Sequence, residues 1–101
     1  MSEFRNNPDL QRYELLEGQE VVGFAEYRPA GSAVMFTHTE IDRRFEGQGL
    51  GSTLVRAALE DVRAQGRQVV PMCPFVAAYI GRHRSEYVDL VHPQQRGVFG
   101  L

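Results

Sequence analysis

The 101-residue sequence has no lysine and only one cysteine, Cys73. Walker-type phosphate loops and Schiff-base chemistry both need a lysine and are thereby excluded. A lone cysteine rules out an internal disulfide framework and every two-cysteine zinc or redox motif, so no metal is expected. No apolar run approaches the ~20 residues that a membrane-spanning helix needs. The polar start MSEFRNNPDL lacks the apolar core of a secretory signal. The expectation is a cytoplasmic chain with no membrane partner. Strong basicity is missing too: eleven arginines meet thirteen Asp and Glu for a net charge of −2, which argues against nucleic acid as a partner. Charge is unevenly placed, with 5 Arg against 9 acids in residues 1–50 and 6 against 4 in residues 51–101. The mildly positive second half suits a small anionic ligand.

What is present reads as a single domain over residues 1–101, since a chain of this length can bury one core but not two. Residues 1–10 are expected to form a loose arm. QRYELLE (11–17) and EVVGFAEY (20–27) read as short strands around a Gly18-Gln19 hairpin. A turn is expected at Arg28-Pro29-Ala30-Gly31. Residues 32–42 then alternate as a central strand, with Val34, Phe36, His38 and Glu40 on one side and Ala33, Met35, Thr37, Thr39 and Ile41 on the other. From Leu50 the period changes. Leu50, Leu54, Val55, Ala58, Leu59 and Val62 form the apolar stripe of a helix, which Gly66 ends. RQVVPMC (67–73) reads as a buried strand, and Pro74 opens a second helix through Arg82. Tyr87, Val88, Leu90 and Val91 are expected to make a last strand or an apolar plug. The predicted order is β-β-β-α-β-α, an α/β fold with a mixed, mostly antiparallel sheet and two main helices.

The sharpest local signal is Glu46-Gly47-Gln48-Gly49-Leu50-Gly51-Ser52, glycines at alternate positions between a strand and an amphipathic helix. Such a loop lets backbone N–H groups converge on an anion at a helix N-terminus, as a phosphate requires. It can equally be a tight turn that needs positive φ. A dinucleotide-binding fingerprint fits poorly, because Ser52 stands where a third glycine is expected and no acid follows about 20 residues on.

The strand, the Gly47–Gly51 turn, the helix 52–65, the strand 67–71 and the helix carrying Tyr79 resemble the acetyl-CoA-binding core of the GCN5-related N-acetyltransferases. The run from His38 to His83 is similar to the small members of that superfamily with a Cys-Pro-Phe/Tyr segment, here Cys73-Pro74-Phe75. The resemblance implies the minimal acyltransferase fold, with the sheet splayed near 40–42 and 72–74 and acetyl-CoA between the strands as co-substrate. It implies that backbone amides of Gln48, Gly49, Leu50, Gly51 and Ser52, with Gly47, cradle the pyrophosphate. Glu40, Ile41 and Asp42 would flank the pantetheine arm, and Phe75 and Arg82 would add cofactor contacts. Glu46 stands where the superfamily usually has Gln or Arg, and is expected to point away from a phosphate. So short a chain leaves the acceptor side shallow or completed by a partner, which makes a homodimer an option.

Acetyl transfer needs a base for the ammonium proton, donors for the oxyanion and an acid for the leaving thiolate. Tyr79 matches the superfamily tyrosine near the CoA sulfur, or is a core aromatic. Cys73 could carry the acetyl group or line the thioester pocket, or simply pack as a small hydrophobe. His38 could act as a base or activate the thiol, or be a hydrogen-bonded core histidine. The function expected is acetyl transfer to a primary amine that the sequence does not identify, on a small molecule or a protein. The alternatives are a protein that holds CoA or acyl-CoA without turnover, as sensor or carrier, and an interaction module in which the glycine loop is only a turn.

Overall fold

A computed structural model describes residues 2–101. Five strands form one sheet in the order β1-β2-β3-β4-β5: β1 Ser2–Asn7, β2 Arg12–Glu17, β3 Glu20–Ala30, β4 Ala33–Ile41 and β5 Gln68–Pro71. The first four run antiparallel as a meander. β4 and β5 are parallel and joined through helix α1, Leu50–Ala64, because a parallel pair needs a long crossover. Helix α2, Pro74–Arg82, follows β5, and a short α3, Arg84–Tyr87, leads into 3-10 turns at 88–90 and 93–99.

The helices lie on one face of the sheet. Tyr13, Leu15, Val22, Ala25, Val34, Phe36 and Val69 of the strands meet Leu54, Val55, Ala58, Leu59 and Val62 of α1 and Val76 and Ile80 of α2 in one core. The stripe read from the sequence is therefore the buried face of α1. Tyr87, Leu90 and Val91 plug the end of this core from helical turns, not from a strand. The other face holds a buried carboxylate. Glu14 is fully enclosed, accepting from Arg5 Nε and Arg12 Nε at 2.6 Å each and from Asn7 Nδ2 at 3.3 Å. The Arg12 guanidinium in turn covers the Phe24 ring at 4.6 Å.

Three local expectations change. The loose arm is a strand: β1 pairs with β2 along its whole length, and Phe4 stacks on Tyr13 at 5.4 Å. One half-buried ring and six paired residues order a segment whose composition is otherwise polar. The expected turn at 28–31 is also strand, with the reversal at Gly31-Ser32, where Gly31 takes φ 62°. Pro29 is tolerated because β2 begins opposite Glu26, leaving the far side of β3 beyond that point without a ladder partner.

The third change bears on the site. Glu26 pairs with His38 but Tyr27 pairs with Phe36, so Thr37 is an extra residue bulged out of β4. One inserted residue reverses the alternation beyond it. Val34 and Phe36 face the helices, as Thr39 and Ile41 do, and His38 and Glu40 face the opposite side. His38 sits beside Phe24, ring centroids 6.2 Å apart, with Nε2 3.4 Å from Glu40.

Candidate functional site

The β4–β5 ladder stops at Phe36 and Pro71. Beyond it Met72 N–H folds back to the Val70 carbonyl at 3.0 Å, and Cys73 N–H donates to the Phe36 carbonyl at 2.8 Å. The chain then turns into α2 with Pro74 as its first residue, where a missing N–H costs nothing. The outer half of β4 is thus left without a strand on its β5 side. The separation starts at Thr37 and Met72, earlier along β4 than the expected 40–42.

A cleft of about 380 Å³ occupies the helix side of this gap, lined by Thr39, Ile41, Phe45, Leu50, Ser52, Phe75 and the glycine loop. That volume lies within the range of small-molecule sites. The connector from β4 is tightly held. Asp42 N–H donates to the Val22 carbonyl at 2.7 Å, and the Asp42 carboxylate accepts from the Arg44 backbone and side chain. Hydrogen bonds from Arg44 lower the Asp42 carboxyl to about 2. Arg44 also pairs with Glu20, tying the loop to the start of β3.

The three glycines of the loop serve different needs. Gly47 and Gly49 have φ of 81° and 76°, a region unfavourable to side chains, and open space where a Cβ would stand. Gly49 caps α1 without any side-chain hydrogen bond, so the first amides of the helix remain available to an anion. Gly51 has an ordinary backbone, but a Cβ there would lie 2.8 Å from Phe75 Cζ. Its smallness lets the Phe75 ring rest on the first turn of α1. Loop and cleft therefore fit an elongated anionic ligand with its phosphates at the helix end.

Of the residues expected at the site, Ile41, Gly47, Gly49, Leu50, Gly51, Ser52 and Phe75 line the cleft together. Cys73 is not itself in the lining: it is buried at 4% exposure and touches the cleft through Thr39, its Sγ 3.5 Å from Thr39 Oγ1. The expected pairing of Cys73 with His38 is absent, because the Thr37 bulge turns His38 to the other face, where it is 55% exposed. Glu40 goes with it for the same reason. Tyr79 is not in the lining. It is buried among His83 and Tyr87, at centroid distances of 4.3 and 5.9 Å, and burial raises its pKa. Spacing of four places it one turn beyond Phe75 on the same side of α2. Arg82 is exposed at the last residue of α2. Glu46 borders the cleft, since the 3-10 turn Arg43–Phe45 delivers it to the rim.

Thr39 and Phe45 went unread as site residues. Strict alternation put Thr39 on the side away from His38, and no sequence signal marked the bulge that brings it, and not His38, to the thiol.

A model of the GCN5-related N-acetyl-transferase family matches residues 12–90. No match was found among curated proteins. Among solved structures, a GCN5-like protein from Staphylococcus aureus is similar over 89% of this chain and 87% of its own, with 20% identity and a TM-score of 0.65. A protein assigned to the GNAT family from Desulfovibrio desulfuricans is similar over 57% of this chain, with 21% identity and a TM-score of 0.52. The chain spans 40% of the length of that second protein. At such identities the structural likeness speaks for the fold alone. Since the family match takes in four of the five strands, the loop and α1 and α2, the chain belongs to the GCN5-related N-acetyltransferase family.

Proposed function

We propose that this protein transfers an acetyl group from acetyl-CoA to a primary amine. The observation that carries this reading is the single cleft that runs from the uncapped helix end at Gly49 to Thr39, whose hydroxyl meets Cys73. Amides of Gln48 to Ser52 hold the pyrophosphate, Phe75 packs on the cofactor arm, and the thioester reaches Thr39. Arg82, exposed at the end of α2, is a partner for the ribose phosphate.

In the reaction the amine lone pair attacks the thioester carbonyl, the C–S bond breaks, and the departing thiolate takes a proton as the ammonium loses one. Direct attack suits the site better than an acetylated Cys73. The Sγ contact is with a neutral hydroxyl, and the histidine that would activate it is across the sheet. Thr39, backed by Cys73, then walls the thioester end. His38 and Glu40, on the helix-free face, stand on the side from which an amine arrives, with His38 taking its proton. The thiolate takes its proton from solvent at the cleft, since Tyr79 lies outside the lining.

Calorimetric titration with CoA and acetyl-CoA tests the cofactor half of this reading. Micromolar binding is expected, and no binding to either would overturn it. Binding without transfer to a panel of amines would instead favour a CoA sensor or carrier. Incubation with acetyl-CoA alone should leave Cys73 unmodified by mass; a hydroxylamine-labile acetyl adduct would refute direct attack.

A further inference from the structure

The two edges of the sheet differ. β5 has four residues, ends in Pro71, which has no N–H, and is followed by Met72 folded back on Val70. Proline and a turned end are ways in which an edge resists a further strand. β1 has six residues, no proline and an unbroken register with β2, and nothing pairs with its outer side among the described residues. Its side chains are sorted. Phe4 and Asn6 lie on the helix side, where Phe4 stacks on Tyr13 and Asn6 accepts from the Tyr27 hydroxyl at 2.6 Å. Glu3 and Arg5 lie on the other side. Arg5 is held in place by Glu14 through Nε, its side chain still 54% exposed, and Glu3 is exposed with no hydrogen bond or ion pair among the described residues.

We infer that β1 is a docking edge for a second copy of this chain, which adds its own β1 antiparallel in the register centred on Phe4. The register follows from symmetry and charge. A two-fold axis normal to the sheet keeps the helices of both copies on one side, and it requires a residue of β1 to stand opposite itself. Centring on Arg5 sets two guanidinium groups against each other, and centring on Glu3 sets two carboxylates so. Like charges directly opposite are destabilising. Centring on Phe4 sets Glu3 opposite the second copy's Arg5 twice, Ser2 opposite Asn6 twice, and Phe4 against Phe4. The Arg5 guanidinium then bridges Glu14 of its own chain and Glu3 of the other. The strand is therefore complementary to itself in one register and repulsive in its neighbours. Five residue pairs make a small interface, so the association is a weak one. The cleft, at the far side of the sheet, remains open in both copies.

Sedimentation equilibrium should show a reversible dimer with a Kd below about 1 mM, weakened by salt. Glu3→Arg, an exposed change that leaves Glu14 and its partners intact, puts arginine against Arg5 twice. It should raise the Kd at least about tenfold, or 1.4 kcal/mol. Hydrogen exchange of the β1 amides should slow as concentration rises in the parent protein and stay constant in the variant. A parent that remains monomeric at about 1 mM, well into the range where small interfaces associate, overturns the inference. So does a dimer that Glu3→Arg leaves unchanged, because it uses another surface.

Discussion

Replacing Gly51 by alanine should have opposite effects depending on whether Phe75 is present. A Cβ at Gly51 would approach Phe75 Cζ to 2.8 Å and two further ring carbons to 3.4 and 3.5 Å. The ring must shift, and overpacking of this kind costs about 1–3 kcal/mol. Against this stands the backbone: glycine within a helix is less favourable than alanine by roughly 0.5–1 kcal/mol. In the parent protein the clash prevails, with a net loss of about 1 kcal/mol after the helix gain is offset. Phe75 is 40% exposed and its ring can swing outward, which keeps the loss near the low end. In a Phe75→Ala background the obstacle is gone and Gly51→Ala should stabilise by up to about 0.5 kcal/mol. The coupling is thus at least about 1 kcal/mol, well above the error of a double-mutant cycle. Urea unfolding of the four proteins, followed by circular dichroism, measures it. Equal effects of Gly51→Ala in both backgrounds would refute the claim that Gly51 is there to seat Phe75.

Gly49→Ala should behave differently, since open space surrounds its Cβ but φ is 76°. The loss should be about 1–2 kcal/mol, unaffected by Phe75→Ala, and visible as a lowered Tm. At Glu14, burial acts to raise the carboxyl pKa, and hydrogen bonds from Arg5, Arg12 and Asn7 more than offset it, leaving it below the ordinary value. A depressed carboxylate stabilises the fold above its unfolded pKa and loses that contribution as pH falls through the folded one. Glu14→Gln should therefore cost roughly 3 kcal/mol at neutral pH and flatten the acid limb of stability below about pH 4. A parallel acid limb in thermal melts across that range would show that Glu14 is not its source.

The sequence told most where one residue type answers to one physical need. The apolar stripe of α1 had to be buried and is, and Pro74 could sit only at a helix start. Gly47 and Gly49 sit in the left-handed region that their spacing suggested. β1 was illegible because its order comes from partners distant in sequence: polar residues become strand when β2 offers a ladder and Tyr13 a ring. His38 was misplaced for a related reason. Alternation is a local rule, and the Thr37 bulge arises from how β3 and β4 must pair on both sides of it. What could be read of the site was accordingly its glycine loop, and what could not was which β4 side chain meets Cys73.

That bulge acts as a parity bit for the strand. Opposed residues of an antiparallel pair point to the same side, so every side chain after Thr37 takes the face of its β3 partner, and the extra residue reverses only the count along the sequence. Loss of the single codon for Thr37 would therefore leave both rows in place and restore plain alternation, with His38 still opposite Glu26 and Thr39 still opposite Ala25. Only a slip of the outer half of β4 by one residue against β3 would bring the imidazole and the carboxylate into the cleft beside Cys73 and take the threonine and the isoleucine out. The neutral wall of the cleft is thus guarded by the β3–β4 register, whatever the length of β4.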